Sequence, residues 1–142
     1  MSDFYNYFKE NMEDLGLTAP PESLFGTQQL AISTIAVILA FIDKFGTKVT
    51  VMEMLNAGTR LEQLSTLGAL GAAYYAGAAI GSFAVATGRT LSGGTSLGDV
   101  LFEASKWGFD RPWLTSLLHR RPGIYNANVS GRRHYKLYEN FR

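Results

Sequence analysis

The sequence has no cysteine among its 142 residues. This absence excludes disulfide bonds, thiolate metal sites and a cysteine nucleophile, so packing alone has to stabilise the fold. Histidine is scarce as well, because only His119 and His134 are present, each beside an arginine. Neither has a partner at metal-ligand spacing, and we interpret both as solvated surface residues. The sequence therefore predicts no metal site, no cofactor and no catalytic residue.

Charge is missing from one long stretch, Gln63 to Gly88, which holds 26 residues without an acidic or basic side chain. Small residues recur in it at every fourth position: Ser65, Ala69, Ala73, Gly77 and Gly81. Glycine costs about 1 kcal/mol relative to alanine inside an exposed helix, so such a helix needs a compensating contact. Residues four apart share one helix face, and this row forms a groove that another backbone can approach closely. The pattern predicts a self-associating helix over roughly residues 61–87 that can enter a membrane.

The same row also fits a second interpretation. Small residues at every fourth position occur where two helices cross closely in a soluble bundle, and the segment would then be a buried core helix of a binding module or an enzyme. The length of the stretch and its lack of charge favour the membrane interpretation, since a soluble helix of this size normally shows a charged face. Both interpretations predict that Gly77 and Gly81 lie at the closest helix crossing.

The remaining periodicity predicts a mainly α fold: a small helical bundle or hairpin around the central glycine-zipper helix. Residues 1–22 read as an amphipathic helix ending at Gly16 and a linker, residues 23–88 as an apolar helical region, and residues 89–142 as a basic region, all in one domain. Within the apolar region, Ser23 is a predicted N-cap, and an amphipathic helix is predicted over 50–64, either continuous or broken into two pieces at Gly58-Thr59. The tail from Ile124 onward is predicted to be irregular or a small hairpin.

The net charge of +1 hides an asymmetry, because residues 1–62 hold four Lys/Arg against eight Asp/Glu and residues 89–142 hold nine against four. An acidic front and a basic tail predict either intramolecular pairing in a soluble form or attraction of the tail to anionic lipid. The N-terminus lacks the basic and apolar regions of a signal peptide, so we expect any export to use a machine that ignores such peptides.

Two further patterns are compatible with functional sites. Asp99 and Glu103 share a helix face four residues apart, as a pair of acid/base carboxylates would, but an ordinary solvated helix face, with Glu103 near Lys106, explains them better. Basic pairs interleaved with aromatics, in 120–125 and 132–136, could contact nucleic-acid phosphates and bases. The uncharged glycine segment has no role in nucleic-acid binding, and the same basic residues suit a lipid interface or a protein partner. We therefore predict no nucleic-acid partner.

A small chain with an uncharged zipper helix, a second apolar helix and a polar tail resembles the pore-forming effectors of bacterial type VI secretion systems. The row Ala69-x3-Ala73-x3-Gly77-x3-Gly81 carries the resemblance, with Gly88 extending it, and the similarity covers mainly residues 24–88. The resemblance implies a toxin that is carried in the ring-shaped tube protein of the secretion machine and delivered to a competing bacterium. It implies ion-selective pores in the inner membrane of that cell and a cognate immunity protein in the producer.

The sequence thus predicts a secreted, non-enzymatic antibacterial toxin whose partners are the lipid bilayer and other copies of itself. The alternative is a structural or assembly subunit that packs through the same helix in a filament, coat or membrane complex. Close packing is all that the row of small residues guarantees, so the sequence alone leaves both functions open.

Overall fold

The computed structural model describes residues 3–91 and 95–140, and for residues 89–91 only the backbone. The described chain is mainly α, as predicted, and contains no β-strand. Its α-helices are α1 (Asp3–Asp14), α2 (Glu22–Phe25), α3 (Gln28–Phe45), α4 (Val51–Asn56), α5 (Ala72–Leu91), α6 (Leu97–Lys106) and α7 (Pro112–Arg120). Short 3₁₀ segments cover Glu62–Leu67, Pro122–Ile124 and Arg132–Leu137.

Local chemistry sets the helix starts. The Thr27 side chain accepts a hydrogen bond from the backbone N–H of Leu30 and caps α3. Complete capping boxes begin α4, at Thr50 with Glu53, and α6, at Ser96 with Asp99. Each of these caps satisfies backbone groups that a helix end leaves without partners, which typically contributes about 1 kcal/mol.

Helix α5 lies at the centre of the fold and contacts α1, α3, α6, α7 and the 3₁₀ segment Pro122–Ile124. Every residue from Gly71 to Thr87 is buried. Aromatic rings join the outer helices to it: Phe4 of α1 meets Phe83 edge-on with ring centroids 5.4 Å apart, and Phe25 meets Tyr75 at 6.4 Å. Burial of each large apolar side chain contributes roughly 1.5–3 kcal/mol, and α5 is the helix against which the surrounding elements place many of these side chains.

The predicted start of the central helix is wrong by about eleven residues, since α5 begins at Ala72 and not near 61. The backbone of Leu70 and Gly71, just before the helix, makes hydrogen bonds with distant parts of the chain instead. The N–H of Val51 donates to the carbonyl of Leu70 at 2.9 Å, and the N–H of Gly71 donates to the carbonyl of Glu139 at 2.8 Å. Two isolated antiparallel bridges result, between Thr50 and Gly71 and between Leu70 and Asn140.

Two other boundaries differ from the sequence prediction or narrow it. The helix predicted over 50–64 stops at Asn56, close to the alternative break at Gly58-Thr59, and Gly58 has a φ of 87° that ends helical geometry. Ser23, predicted as an N-cap, lies inside α2 instead. Of the two alternatives predicted for the tail, the described residues form short 3₁₀ segments and no hairpin. Gly16 ends α1 as predicted: its φ is 79°, and a Cβ there would collide with the carbonyl oxygen of Arg133.

Candidate functional site

The predicted zipper residues fall in three different settings. Ala69 lies in the turn before α5, half-buried and outside the helix. Ala73, Gly77 and Gly81 are buried on α5, and Gly88 is half-buried near its end. The row of small residues on the helix therefore consists of Ala73, Gly77, Gly81 and Gly88, and Ala69 is not part of it.

Side chains cover the middle of this row. A Cβ placed on Gly77 would collide with Cδ2 of Leu117 in α7, and one placed on Gly81 would collide with Cγ2 of Ile124. We call residues 112–124, which comprise α7 and the 3₁₀ segment after it, the cover segment. Its leucine and isoleucine occupy the space that the glycines leave, so in this form the glycines accommodate aliphatic side chains and not a second glycine-lined helix.

A buried hydrogen-bond network fixes the cover segment to α1 and α5. Asn11 Nδ2 donates to Ser82 Oγ at 2.8 Å and to the carbonyl of Ile124 at 2.9 Å. Arg132 donates to the Asn11 side-chain oxygen at 3.3 Å and to the carbonyl of Gly123 at 2.8 Å. A network of this kind is strong only while every member is satisfied, so it specifies how α1, α5 and the tail fit together.

Ion pairs connect the acidic front of the chain to its basic second half. Arg132 Nη2 lies 3.2 Å from Asp14 Oδ2. Arg111 makes a two-pronged pair with Asp43, with both N–O distances at 2.9 Å. This hydrogen bonding lowers the pKa of the Asp43 carboxyl and raises that of Arg111. The intramolecular pairing that the charge asymmetry suggested is therefore present at these two places.

Much of the tail's basic and aromatic content is used in folding. The Arg121 guanidinium lies 5.2 Å from the centre of the Tyr135 ring and 5.5 Å from that of Tyr138, and its Nε donates to Glu139 at 2.8 Å. Arg132 is buried. These residues hold the tail against α1 and the cover segment, which leaves a smaller basic surface than the sequence suggested.

The two carboxylates of α6, Asp99 and Glu103, both make hydrogen bonds within the fold. Asp99 accepts the backbone N–H of Ser96 in a capping box, and Glu103 accepts the indole N–H of Trp107 at 3.2 Å. His119 and His134 are both exposed. No group of three metal-ligating side chains is found in residues 3–91 and 95–140.

Helix α3 has an apolar face toward solvent. Its exposed residues include Leu30, Ser33, Ala36, Val37 and Ala40, and we call these five the exposed α3 face. Leu30 and Val37 are each 40% exposed. Among the described residues, α3 is the single helix that is long and apolar enough to cross a membrane, with a mean hydropathy of 1.4 and one third of its residues buried. Length and composition alone are weak evidence for a span, because a core helix can meet both criteria.

A cleft of about 280 Å³ opens where the N-terminal end of α5 meets α7. Its walls come from the loop before α4, from α5, from α7 and from the tail, and they include Lys48, Tyr74, Trp113, Arg120 and Glu139. The Tyr74 side chain is buried, and its hydroxyl has no hydrogen-bond partner in the described part of the chain. We call this the Tyr74 cleft.

Sequence reasoning missed the residues that organise this region. Asn11 and Ser82 carry no motif, and their contact spans 71 positions along the chain. Tyr74 carries no motif either, because it is one uncharged polar side chain within an apolar stretch. Comparison of the chain with known proteins finds no matching family model, no matching curated protein and no matching solved structure.

Proposed function

We propose that this protein is an antibacterial toxin that forms ion-conducting pores in the inner membrane of a target cell. One observation carries the proposal: the uncharged part of α5, rich in small residues, is buried from Ala72 to Thr87 under separate amphipathic segments. A membrane-active helix has to be hidden in this way before insertion, because an exposed apolar surface of that size causes aggregation.

Insertion requires α5 to change partners. In solution its small-residue row contacts Leu117 and Ile124, and Ser82 is hydrogen-bonded to Asn11. In lipid, the hydrophobic drive between helices is absent, and close packing of small residues takes its place. Gly77 and Gly81 of one copy would then meet the same row of another, while Ser82 could hydrogen-bond to a neighbouring helix.

The length of α5 fits this role, while the mean hydropathy typical of a membrane span is reached, among the described helices, by α3. The 20 residues of α5 extend about 30 Å at 1.5 Å per residue, which matches the hydrocarbon thickness of a bilayer. The N–H and C=O groups in the middle of a helix are satisfied within it, so that part of the helix can cross without open polar groups. Since the uncharged segment offers no charged ring, we propose a narrow pore.

The delivery route rests on the resemblance described above. We propose export without a signal peptide through the tube protein of a type VI secretion system, action at the target-cell membrane, and protection of the producer by a cognate immunity protein. Self-association and the bilayer are the proposed partners in the target, and the proposed activity needs no catalysis.

Expression directed to the periplasm tests this function. A potential-sensitive dye should report depolarisation of the inner membrane before viability falls. Ile80→Leu conserves bulk on a helix position outside the small-residue row and serves as the matched control for Gly77→Leu, which should lose activity because it fills the groove. Cell death with an intact membrane potential would contradict the proposal.

The exposed α3 face favours a second function, that of an assembly subunit. Leu30 and Val37 lie 40% exposed on a helix whose stretch from Gln28 to Ile42 carries no charge. A filament or coat contact would bury this face between copies. In that case the purified protein should form a regular polymer without toxicity, and Val37→Glu should disperse it. Depolarising activity that Val37→Glu leaves unchanged would favour the toxin.

A further inference from the structure

The Tyr74 cleft has features of a ligand site that the proposed pore function does not use. Its volume of about 280 Å³ corresponds to roughly nine water molecules, near the lower limit for small-molecule pockets. Four separate parts of the chain form its walls, so the complete fold is needed to assemble it. A cleft of this size accepts a compound with a single ring.

Tyr74 supplies an unused hydrogen-bond donor. Its side chain is 2% exposed, and no described residue accepts or donates a hydrogen bond at its hydroxyl. A buried polar group without a partner is unfavourable in the free protein and marks a place where a ligand or an ordered water completes the bonding.

The charges around the cleft favour an anion. Lys48 and Arg120 line it, and Lys48 makes no ion pair with any described residue. Glu139 also lines it, but this carboxylate is bound by Arg121 at 2.8 Å, which leaves Arg120 at a loose 3.9 Å. The Arg120 guanidinium is therefore available to a second oxyanion, which it can hold with two parallel hydrogen bonds.

The remaining walls are apolar. Ala73 and Leu117 line the cleft together with the Trp113 ring. A planar group can lie against these side chains, while its charged end points toward Lys48 and Arg120.

The geometry points to a binding site for a small organic oxyanion, a carboxylate or phosphate ester on a planar apolar group. The oxyanion is held by Arg120 and Lys48, and the Tyr74 hydroxyl, which is covered in the free protein, becomes accessible on binding and donates a hydrogen bond to an oxygen of the ligand. This inference stands independently of the pore function.

Titration of the full-length protein followed by NMR tests the site with four probes. Phenyl phosphate and phenylacetate carry both ring and charge, and they distinguish a phosphate ligand from a carboxylate. Benzyl alcohol lacks the charge and inorganic phosphate lacks the ring. We expect saturable shifts at the Trp113 indole N–H with at least one of the two ring anions, and at least tenfold weaker binding of the two incomplete probes.

Variants separate this site from general attraction to basic surface. Tyr74→Phe and the exposed Arg120→Gln should each weaken binding of the preferred ring anion by about tenfold, as loss of a hydrogen bond to a charged group predicts. Arg133→Gln, an exposed cation outside the cleft, should leave the dissociation constant unchanged. Equal binding of benzyl alcohol, an equal effect of Arg133→Gln and Arg120→Gln, or no saturable shift at Trp113 would each overturn the inference.

Discussion

Gly81 leaves room for a side chain of the cover segment. Its position on α5 would accept alanine by helix propensity alone, with a gain of up to about 1 kcal/mol. In this fold, however, a Cβ there collides with Ile124 Cγ2 and approaches the Ile124 carbonyl oxygen to 3.5 Å. Local packing therefore opposes local propensity at this residue.

We predict that Gly81→Ala lowers the free energy of unfolding by about 1–3 kcal/mol, the usual cost of overpacking. In an Ile124→Ala background the added methyl fills space, so the same change should become neutral or stabilising. Urea denaturation of the four proteins in the double-mutant cycle measures this coupling. Gly98→Ala in α6 is the control: its Cβ has only an ordinary contact at 3.7 Å, and it should not destabilise. Additive effects of the two substitutions would contradict the proposed contact.

Tyr74 gives the opposite prediction from most buried tyrosines. Because its hydroxyl has no partner among the described residues, Tyr74→Phe should leave the free energy of unfolding unchanged or raise it by up to about 1 kcal/mol. Tyr135→Phe is the control, since the Tyr135 hydroxyl accepts the N–H of Gly123 at 3.0 Å and its loss should cost about 1 kcal/mol. Equal destabilisation by both changes would show that Tyr74 has a partner.

Among the helices, the sequence predicts the ends best where a capping or stop residue coincides with the limit of a helical pattern of apolar residues. The sequence predicts α1 nearly at its observed end, because this helix has an apolar face and Gly16 is a clear stop signal. The start of α5 was missed because its apolar composition continues without a break through residues 63–71. Bridges to Thr50 and Asn140 hold Gly71 and Leu70 outside the helix, so α5 begins only at Ala72. Such long-range pairing leaves no local signal in the sequence.

In the candidate site, too, local sequence patterns predict some features, and contacts between distant residues determine the others. Periodicity placed Ala73, Gly77 and Gly81 on one face, which the structure places on α5. Periodicity could not identify Leu117 and Ile124 as the residues that fill the row, since no local pattern relates positions 40 residues apart. The sequence could not predict the hydrogen bonds of Asn11 either, because a buried polar network depends on how the whole chain folds.

The pair of Asp43 and Arg111 joins the end of α3 to the start of α7, and its contribution should depend on pH. The folded-state pKa of Asp43 is lowered, so the stabilisation is fully present above the unfolded-state pKa and is lost as the pH falls through the lowered value. Asp43 is about half exposed, so we expect Asp43→Asn to cost less than about 1 kcal/mol at pH 7.

The difference between Asp43→Asn and the unchanged protein should begin to shrink below about pH 4, the unfolded-state pKa, and should be lost once the pH is below the lowered folded-state pKa. Urea denaturation at pH 7 and pH 3 checks this, with the exposed Glu62→Gln as a control for charge removal alone. A cost that stays the same at both pH values would mean that the side-chain geometry, and not the charge, links the two helices.

The fold as a whole buries most of its uncharged segment, from Gly71 to Thr87. The central helix is surrounded by α1, α3, α6 and α7, and the network of Asn11, Ser82 and Arg132 fastens the cover over it. If the protein acts on a membrane as proposed, this arrangement must first open, and α5 must leave the cover segment.

A reversible disulfide bond between α5 and the cover segment tests whether the two must separate. A Cβ at position 77 lies 3.5 Å from Leu117 Cγ, where the sulfur of a cysteine would lie, so Gly77→Cys with Leu117→Cys is within reach of a disulfide. The chain has no other cysteine to compete. Potassium release from anionic vesicles is measured for the oxidised variant, for the same sample after reduction, and for the unchanged protein. We expect release by the unchanged protein, none by the oxidised variant and recovery on reduction. Equal release by the oxidised and reduced forms, or none by the unchanged protein, would contradict the account.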